Sequence, residues 1–294
     1  MKRLAKALLL TFAAFLTSVS ARAEDTLERI RRTGTINIGY RENELPFSFI
    51  HDNKATGYAT DVCLAVVERM RPLLGGDDVR IDFRLVTAAA RFVMVGAGRV
   101  DLDCGATVMT PQRRKLAEFS YPIFIGSTRF VARRQDGLTK LDDLAGRSVV
   151  STTGTNHFDL LSTLNRQRQL NISIVLGRTL NESFELFRSG RVSAYVTDDV
   201  ILSLLVSSMP DPDAYVISGD SLNTPVPYTV IMAPGDLAFK AMFNRAFLDL
   251  AASGELERIY DRWFMRPALP NGRNLRLPMS SALRTALAAL PQEP

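Results

Sequence analysis

The chain has 294 residues, 46% of them hydrophobic and 23% charged, with 36 basic and 31 acidic side chains and a formal net charge of +5. Four of the basic residues and none of the acids fall in residues 1–23, so beyond that point 32 basic face 31 acidic residues. The apparent basicity therefore gives no support for nucleic-acid binding or for a cationic membrane-surface patch.

Residues 1–23 carry Lys2, Arg3 and Lys6, an apolar run from Ala7 to Leu16, and small residues ending Ala21-Arg22-Ala23. This is the pattern of a cleaved secretory signal, and its apolar run is shorter than the ~20 residues a bilayer-spanning helix needs. No cysteine follows the run, which argues against a lipid anchor. The rest of the chain is long enough for two domains, each with its own core.

Residues 26–32 read as a short amphipathic helix stopped by Gly34, and residues 36–40 as a strand. A loop with Pro46-Phe47-Ser48-Phe49 follows, then a helix over 61–71 stopped by Pro72 and Gly75-Gly76. Residues 81–86 alternate as a strand, 88–96 read as a helix and 100–104 as a strand. The polar run Thr110-Pro111-Gln112-Arg113-Arg114-Lys115 comes next, and residues 127–133 read as an extended crossing to a second lobe. There the pattern gives helix 141–144, strand 148–151, helix 156–164, strand 172–176, helix 181–187, strand 192–196 and helix 200–207. A second extended run, 227–233, returns to the first lobe, followed by helix 237–253, the amphipathic run 254–264 and a small helix over 280–290.

One unit occurs twice. A helix end, the turn Gly98-Arg99-Val100 and a short buried strand reappear as a helix end, Gly190-Arg191-Val192 and a strand. Two similar lobes imply a cleft between them. The fold class is α/β, two-lobed, with a discontinuous first lobe: leader 1–23, first lobe 24–127, second lobe 128–228, and return with tail 229–294. Two connecting strands form a natural hinge.

The only cysteines, Cys63 and Cys104, suit either a bridge from helix to sheet or two buried thiols. The two histidines, His51 and His157, do not sit at metal-ligand spacing from them. No cofactor is implied.

Three local patterns carry groups able to hold a charged ligand, each beside a plainer reading, which for Arg113 in its Arg-Arg-Lys run is a solvated face. Arg113 follows a proline turn beyond a strand end, where open α/β sheets bind ligands, and its planar fork suits a carboxylate. Thr152-Thr153-Gly154-Thr155 runs from a strand into a helix, whose free N–H groups attract an anion, while Thr155 also reads as an ordinary N-cap. Asp198 follows a strand and offers an acceptor for an ammonium, although an Asp198-Asp199 pair on its own reads as helix capping.

The motifs Gly39-Tyr40-Arg41, Pro46-Phe47-Ser48-Phe49, Gly57-Tyr58-x-x-Asp61, Asp103-Cys104-Gly105, Thr110 to Lys115, Phe119-Ser120-Tyr121-Pro122, Gly154-Thr155, Gly254-Glu255 and Tyr260-x-x-Trp263-Phe264 occur in unbroken order. Together they resemble the polar amino-acid-binding proteins of bacterial ABC importers, the extracellular solute-binding family 3, and within it the glutamate/aspartate-binding branch. The resemblance implies a two-lobed type II periplasmic-binding fold that closes over one amino acid and delivers it to permease subunits in the inner membrane. It also implies a periplasmic monomer without nucleic-acid partners.

It places Arg113 on the ligand α-carboxylate with Thr155 and Thr152, Asp198 on the amine, and Arg41 and Arg91 on a side-chain carboxylate. Backbone groups of Ala106 and Val108 complete the grip, and Phe47 reads either as packing on the ligand's aliphatic stem or as plain core. Ala88, Ala106, Val108 and Leu180 depart from that branch, which carries hydroxyl residues or a histidine there, so the pocket is expected to be drier and roomier. Because two desolvated guanidinium groups repel without an anion between them, Arg41 and Arg91 argue for an acidic ligand. Two further classes stay open at this level: a dehydratase-type enzyme on the same scaffold, and a sensory module acting in trans. The residues expected in the cleft include no histidine, which speaks against the enzyme.

Overall fold

A computed structural model describes residues 25–291 apart from 77 and 271. The leader predicted over 1–23 lies outside the described residues. Among them, no helix is long and apolar enough to cross a membrane.

The first helix, Thr26–Thr33, begins at Asp25, whose carboxylate accepts the Leu27 N–H, and ends at Gly34 in the left-handed conformation. Leu27 and Ile30 bury its apolar stripe. Strand Thr35–Tyr40 then lies parallel between Arg80–Leu85 and Leu102–Val108. Val226–Met232 closes this first sheet antiparallel to Leu102–Val108 and also pairs with Glu118–Phe119 and Phe124–Gly126. The second sheet repeats the plan: Ser148–Thr152 lies parallel between Ser173–Gly177 and Ala194–Asp198, and Thr128–Arg133 runs antiparallel to Ala194–Asp198. Tyr215–Ile217 completes its edge.

The strands after the two Gly-Arg-Val turns, Leu102–Val108 and Ala194–Asp198, thus hold the same position in the two sheets. Each runs with a parallel neighbour on one side and an antiparallel one on the other. Their carboxyl ends, where such sheets bind ligands, bring Val108 and Asp198 to the junction of the lobes.

The runs expected to cross between lobes are themselves interior strands. Thr128–Arg133 belongs wholly to the second sheet and Val226–Met232 wholly to the first, so the chain returns at Val226, slightly before the expected border. The strand expected over 100–104 continues to Val108, because Thr107 and Val108 pair with Thr229 and Tyr228 of the returning strand beyond a register irregularity. The helix expected over 88–96 begins only at Arg91. A small sheet of Asn43–Glu44, Ser48–His51 and Lys54–Thr56 occupies the region read as a loop.

Helix Tyr58–Leu74 packs Val62, Cys63, Val66, Val67 and Met70 toward the first sheet, and Cys63 is bridged to Cys104. The bridge joins helix to central strand, one of the two arrangements the sequence allowed. It closes a 41-residue separation, for which chain entropy gives about 4 kcal/mol of stabilisation. Cys63→Ser with Cys104→Ser should therefore lower the denaturation midpoint by that equivalent while ligand recognition survives. Chemical denaturation of oxidised wild type and the double variant checks this, and equal midpoints would show that the bridge contributes nothing.

Phe47 is fully buried, with ring contacts to Tyr58, Phe124, Tyr228 and Phe264. It is a core residue and not a platform for a ligand's stem, because four aromatic rings from elsewhere in the chain enclose it. The closing helices join the same core, with Trp263 Nε1 donating to Asp61 Oδ2 at 2.8 Å.

Candidate functional site

A cavity of about 80 Å³ lies between the lobes. That is far below the roughly 300–1,000 Å³ of sites for drug-sized ligands and suits a small solute. Arg41, Glu44, Val86, Ala88, Arg91 and Ala106 line it from the first lobe, and Thr152, Thr155, His157, Leu180 and Asp198 from the second. The lobes touch around it. Asn43 hydrogen-bonds Asn181 across the gap. Gly154, at φ +80°, sits so close to the first lobe that a Cβ there would lie 2.5 Å from Ala89 Cα.

Two guanidinium groups converge on that glycine. Arg91 donates to the carbonyls of Ala88 at 2.7 Å and Gly154 at 3.0 Å. Arg113 donates to Val108 at 3.1 Å and Gly154 at 3.2 Å. Among the described residues no carboxylate pairs with either within 4.0 Å. Burial, then the positive charges of Arg113 and Arg41, lower Arg91 to about 9, and burial also lowers Arg113. Arg91 faces the cavity. Arg113 is held just outside its wall, and so is Val108, whose carbonyl serves Arg113.

Arg41 behaves differently. Its two Nη atoms hold both Asp103 oxygens at 2.6 and 2.8 Å, and its Nε lies 3.7 Å from Glu44 Oε2. Burial alone would lower its pKa, but Asp103 more than offsets this and keeps it above its ordinary range. The expectation that Arg41 awaits an anion from outside is thus corrected, because the chain supplies two. The Ala106 N–H, expected to serve a ligand, is likewise engaged by Glu44 Oε2 at 3.2 Å.

Asp198 points into the cavity and does not cap: its carboxylate accepts from the Tyr228 hydroxyl and lies 3.1 Å from His157 Nε2. Burial and this carboxylate hold Tyr228 protonated, well above the usual phenol range. Both contacts fall on Oδ1. Asp199 accepts the N–H of Val200 at 2.8 Å. Thr155 does not cap with its side chain either, since its hydroxyl donates to Thr152 O at 2.7 Å. The first-turn N–H groups of helix Asn156–Arg168 are therefore uncapped beside the cavity, an arrangement that favours an anion. The Thr152 hydroxyl is shared with Ser183 and Tyr195, which fixes the turn from below.

The model of the bacterial extracellular solute-binding proteins, family 3, matches residues 36–266. The chain belongs to this family. It is 35% identical over 293 residues, 98% of this chain and 97% of the other, to the L-glutamate/L-aspartate-binding protein of Pseudomonas aeruginosa. It is 30% identical over 264 residues, 89% of this chain and 87% of the other, to the glutamate/aspartate import solute-binding protein of Escherichia coli. Among solved structures, the cysteine-binding protein of Campylobacter jejuni superposes with a TM-score of 0.73 at 20% identity, covering 86% of this chain and 96% of that one. An ancestral arginine-binding protein bound to arginine gives 0.71 at 23%, covering 79% and 98%. These last two speak to the fold alone. The curated relatives are named for binding and import, and this solute-binding protein is a receptor and not an enzyme.

Within this family-3 protein, Glu44, Asp103, His157 and Tyr228 are site residues that the sequence reading missed. The cleft does hold a histidine, His157, contrary to expectation. For Glu44 a signal existed: it stands three residues after Arg41 in the same polar loop.

Proposed function

We propose that this protein is a periplasmic receptor that captures a free amino acid with an acidic side chain and hands it to the permease subunits of an ABC importer. The observation that carries the reading is the pair Arg91 and Arg113, two buried cations sharing one carbonyl with no carboxylate of the described residues within 4.0 Å of either. An anionic group satisfies both. The names of the P. aeruginosa and E. coli relatives support glutamate or aspartate. In this reading Arg113 and the uncapped first turn after Thr155 take the α-carboxylate, Asp198 takes the ammonium and Arg91 takes the side-chain carboxylate. The leader exports the chain, which works as a monomer.

A thermal-shift screen against all proteinogenic amino acids and common dicarboxylates tests this. Glutamate or aspartate should give the largest shift, since a ligand at a hundredfold excess over Kd stabilises by about 2.7 kcal/mol. A preference for neutral or basic amino acids overturns the acidic assignment. Asp198→Asn should weaken amino acids far more than dicarboxylates lacking an amine, and equal losses in calorimetry would make Asp198 a structural residue.

A further inference from the structure

Glu44 brings a carboxylate to the place where a side-chain carboxylate was expected from the ligand. Its Oε2 lies 3.7 Å from Arg41 Nε and 3.2 Å from the Ala106 amide, and its side chain is only 13% exposed. Arg41 Nε has no hydrogen-bond partner in its buried position, and the Glu44 carboxylate is the charge that stands beside it. A cation and a backbone donor are what a carboxylate seat needs, and here the chain fills the seat itself.

The charge balance of the pocket then decides which solute fits. Arg41, Arg91 and Arg178 in its lining and Arg113 beside it supply four positive charges, and Glu42, Glu44 and Asp198 in the lining with Asp103 behind Arg41 supply four negative ones. A zwitterionic amino acid with a neutral side chain keeps that balance. One with an acidic side chain adds a buried negative charge, which is costly unless something neutralises it. We propose that Glu44 is the specificity-determining residue of this site and that an acidic ligand is admitted only together with a proton on Glu44. The inference rests on the acidic-ligand reading above.

The surroundings of Glu44 support the proton's address. Burial pushes its carboxyl up to about 7 against the pull of Arg41 and of the Ala106 amide; Asp198 adds to the push and Arg91 opposes it. Asp103 faces the same guanidinium from the central strand. From the second lobe His157 and the exposed Arg178, itself paired with Glu182, line the cavity, and Glu42 lines it from the loop of Glu44. A ligand anion placed among these groups raises Glu44 further, so binding takes up a proton and affinity falls as pH rises through neutrality.

Calorimetry of the mature protein with glutamate, at pH 6 and pH 8 in buffers of different ionisation enthalpy, tests this. Wild type should take up close to one proton per glutamate at pH 8, and its affinity should be about tenfold weaker there than at pH 6. Glutamine, titrated in parallel, should show neither effect. Glu44→Gln keeps the shape and the acceptor for Ala106, and should bind glutamate about tenfold more tightly than wild type at pH 8 with a flat pH profile. Because His157 is unchanged in that variant, a persisting pH slope would assign the proton elsewhere and overturn the proposal. Glutamate binding by wild type without proton uptake would also overturn it, while leaving the acidic-ligand reading standing. Failure of both glutamate and aspartate to bind either protein at pH 6 would overturn both.

Discussion

Replacing Arg113 by alanine is expected to weaken glutamate binding by roughly a hundredfold to a few thousandfold, the equivalent of about 3–5 kcal/mol. The ligand-free protein should melt at the same temperature or slightly higher. The two halves of this expectation have one origin. Among the described residues Arg113 has no carboxylate within 4.0 Å to lose, and its charge is one of the causes that lower Arg91. Removing it relieves repulsion in the free receptor while leaving a bound carboxylate short of a two-pronged donor. Arg113→Lys keeps the charge without the fork, and should fall between alanine and wild type. Calorimetry with a melting curve on each variant reads both halves. Near-normal affinity in Arg113→Ala would remove this residue from the site, and a large drop in melting temperature would mark it as structural.

Gly154→Ala is expected to reduce affinity about a hundredfold by holding the lobes apart, the scale on which misplacement of about 1 Å acts on aligned polar groups. A Cβ at Gly154 would meet Ala89 Cα at 2.5 Å, Ala89 N at 2.7 Å and the Ala88 carbonyl at 2.8 Å, all main-chain atoms of the opposite lobe. Neither lobe has to distort to avoid them. Separating the lobes does so, at the expense of the bonds from Arg91 and Arg113 to the Gly154 carbonyl. Gly190 provides the control. It has nearly the same backbone angle, φ +76° against +80°, and nothing within 4 Å of its Cβ position. Gly190→Ala should therefore show the backbone strain alone, with affinity intact. Small-angle scattering with saturating glutamate should find Gly154→Ala more extended than Gly190→Ala, and equal affinities for the two would refute the account.

The architecture was legible because it is written in local pattern. The Gly-Arg-Val turns marked the equivalent strands of both sheets, and residues 237–253 and 156–164 carried helical spacing that the structure matches closely. What local pattern does not carry is pairing across the chain. Nothing near Arg41 indicates that Asp103 takes both its Nη atoms from a strand 62 residues away. An unpaired arginine and a neutralised one look alike in sequence. The same holds for Glu44, whose charge in a polar loop reads as solvated until strand Leu102–Val108 is seen beside it. For Phe47 the choice between ligand contact and core stays open in sequence for a related reason, since the aromatic rings that enclose it arrive from residues 58, 124, 228 and 264.

The strand order carries a consequence for how the molecule is built in time. Leu102–Val108 is an inner strand of the first sheet, and its antiparallel neighbour Val226–Met232 is made only after the whole second lobe. The second sheet draws all five of its strands from one continuous stretch, Thr128–Arg133 to Tyr215–Ile217. As the chain emerges from its N-terminus, the inserted lobe can complete itself first, while the lobe that began earlier waits with an unpaired edge. That edge carries Asp103 and Ala106, the floor beneath Arg41 and Glu44. The binding floor is consequently among the last parts of the receptor to be finished, and the returning strand that finishes it also brings Tyr228 to Asp198.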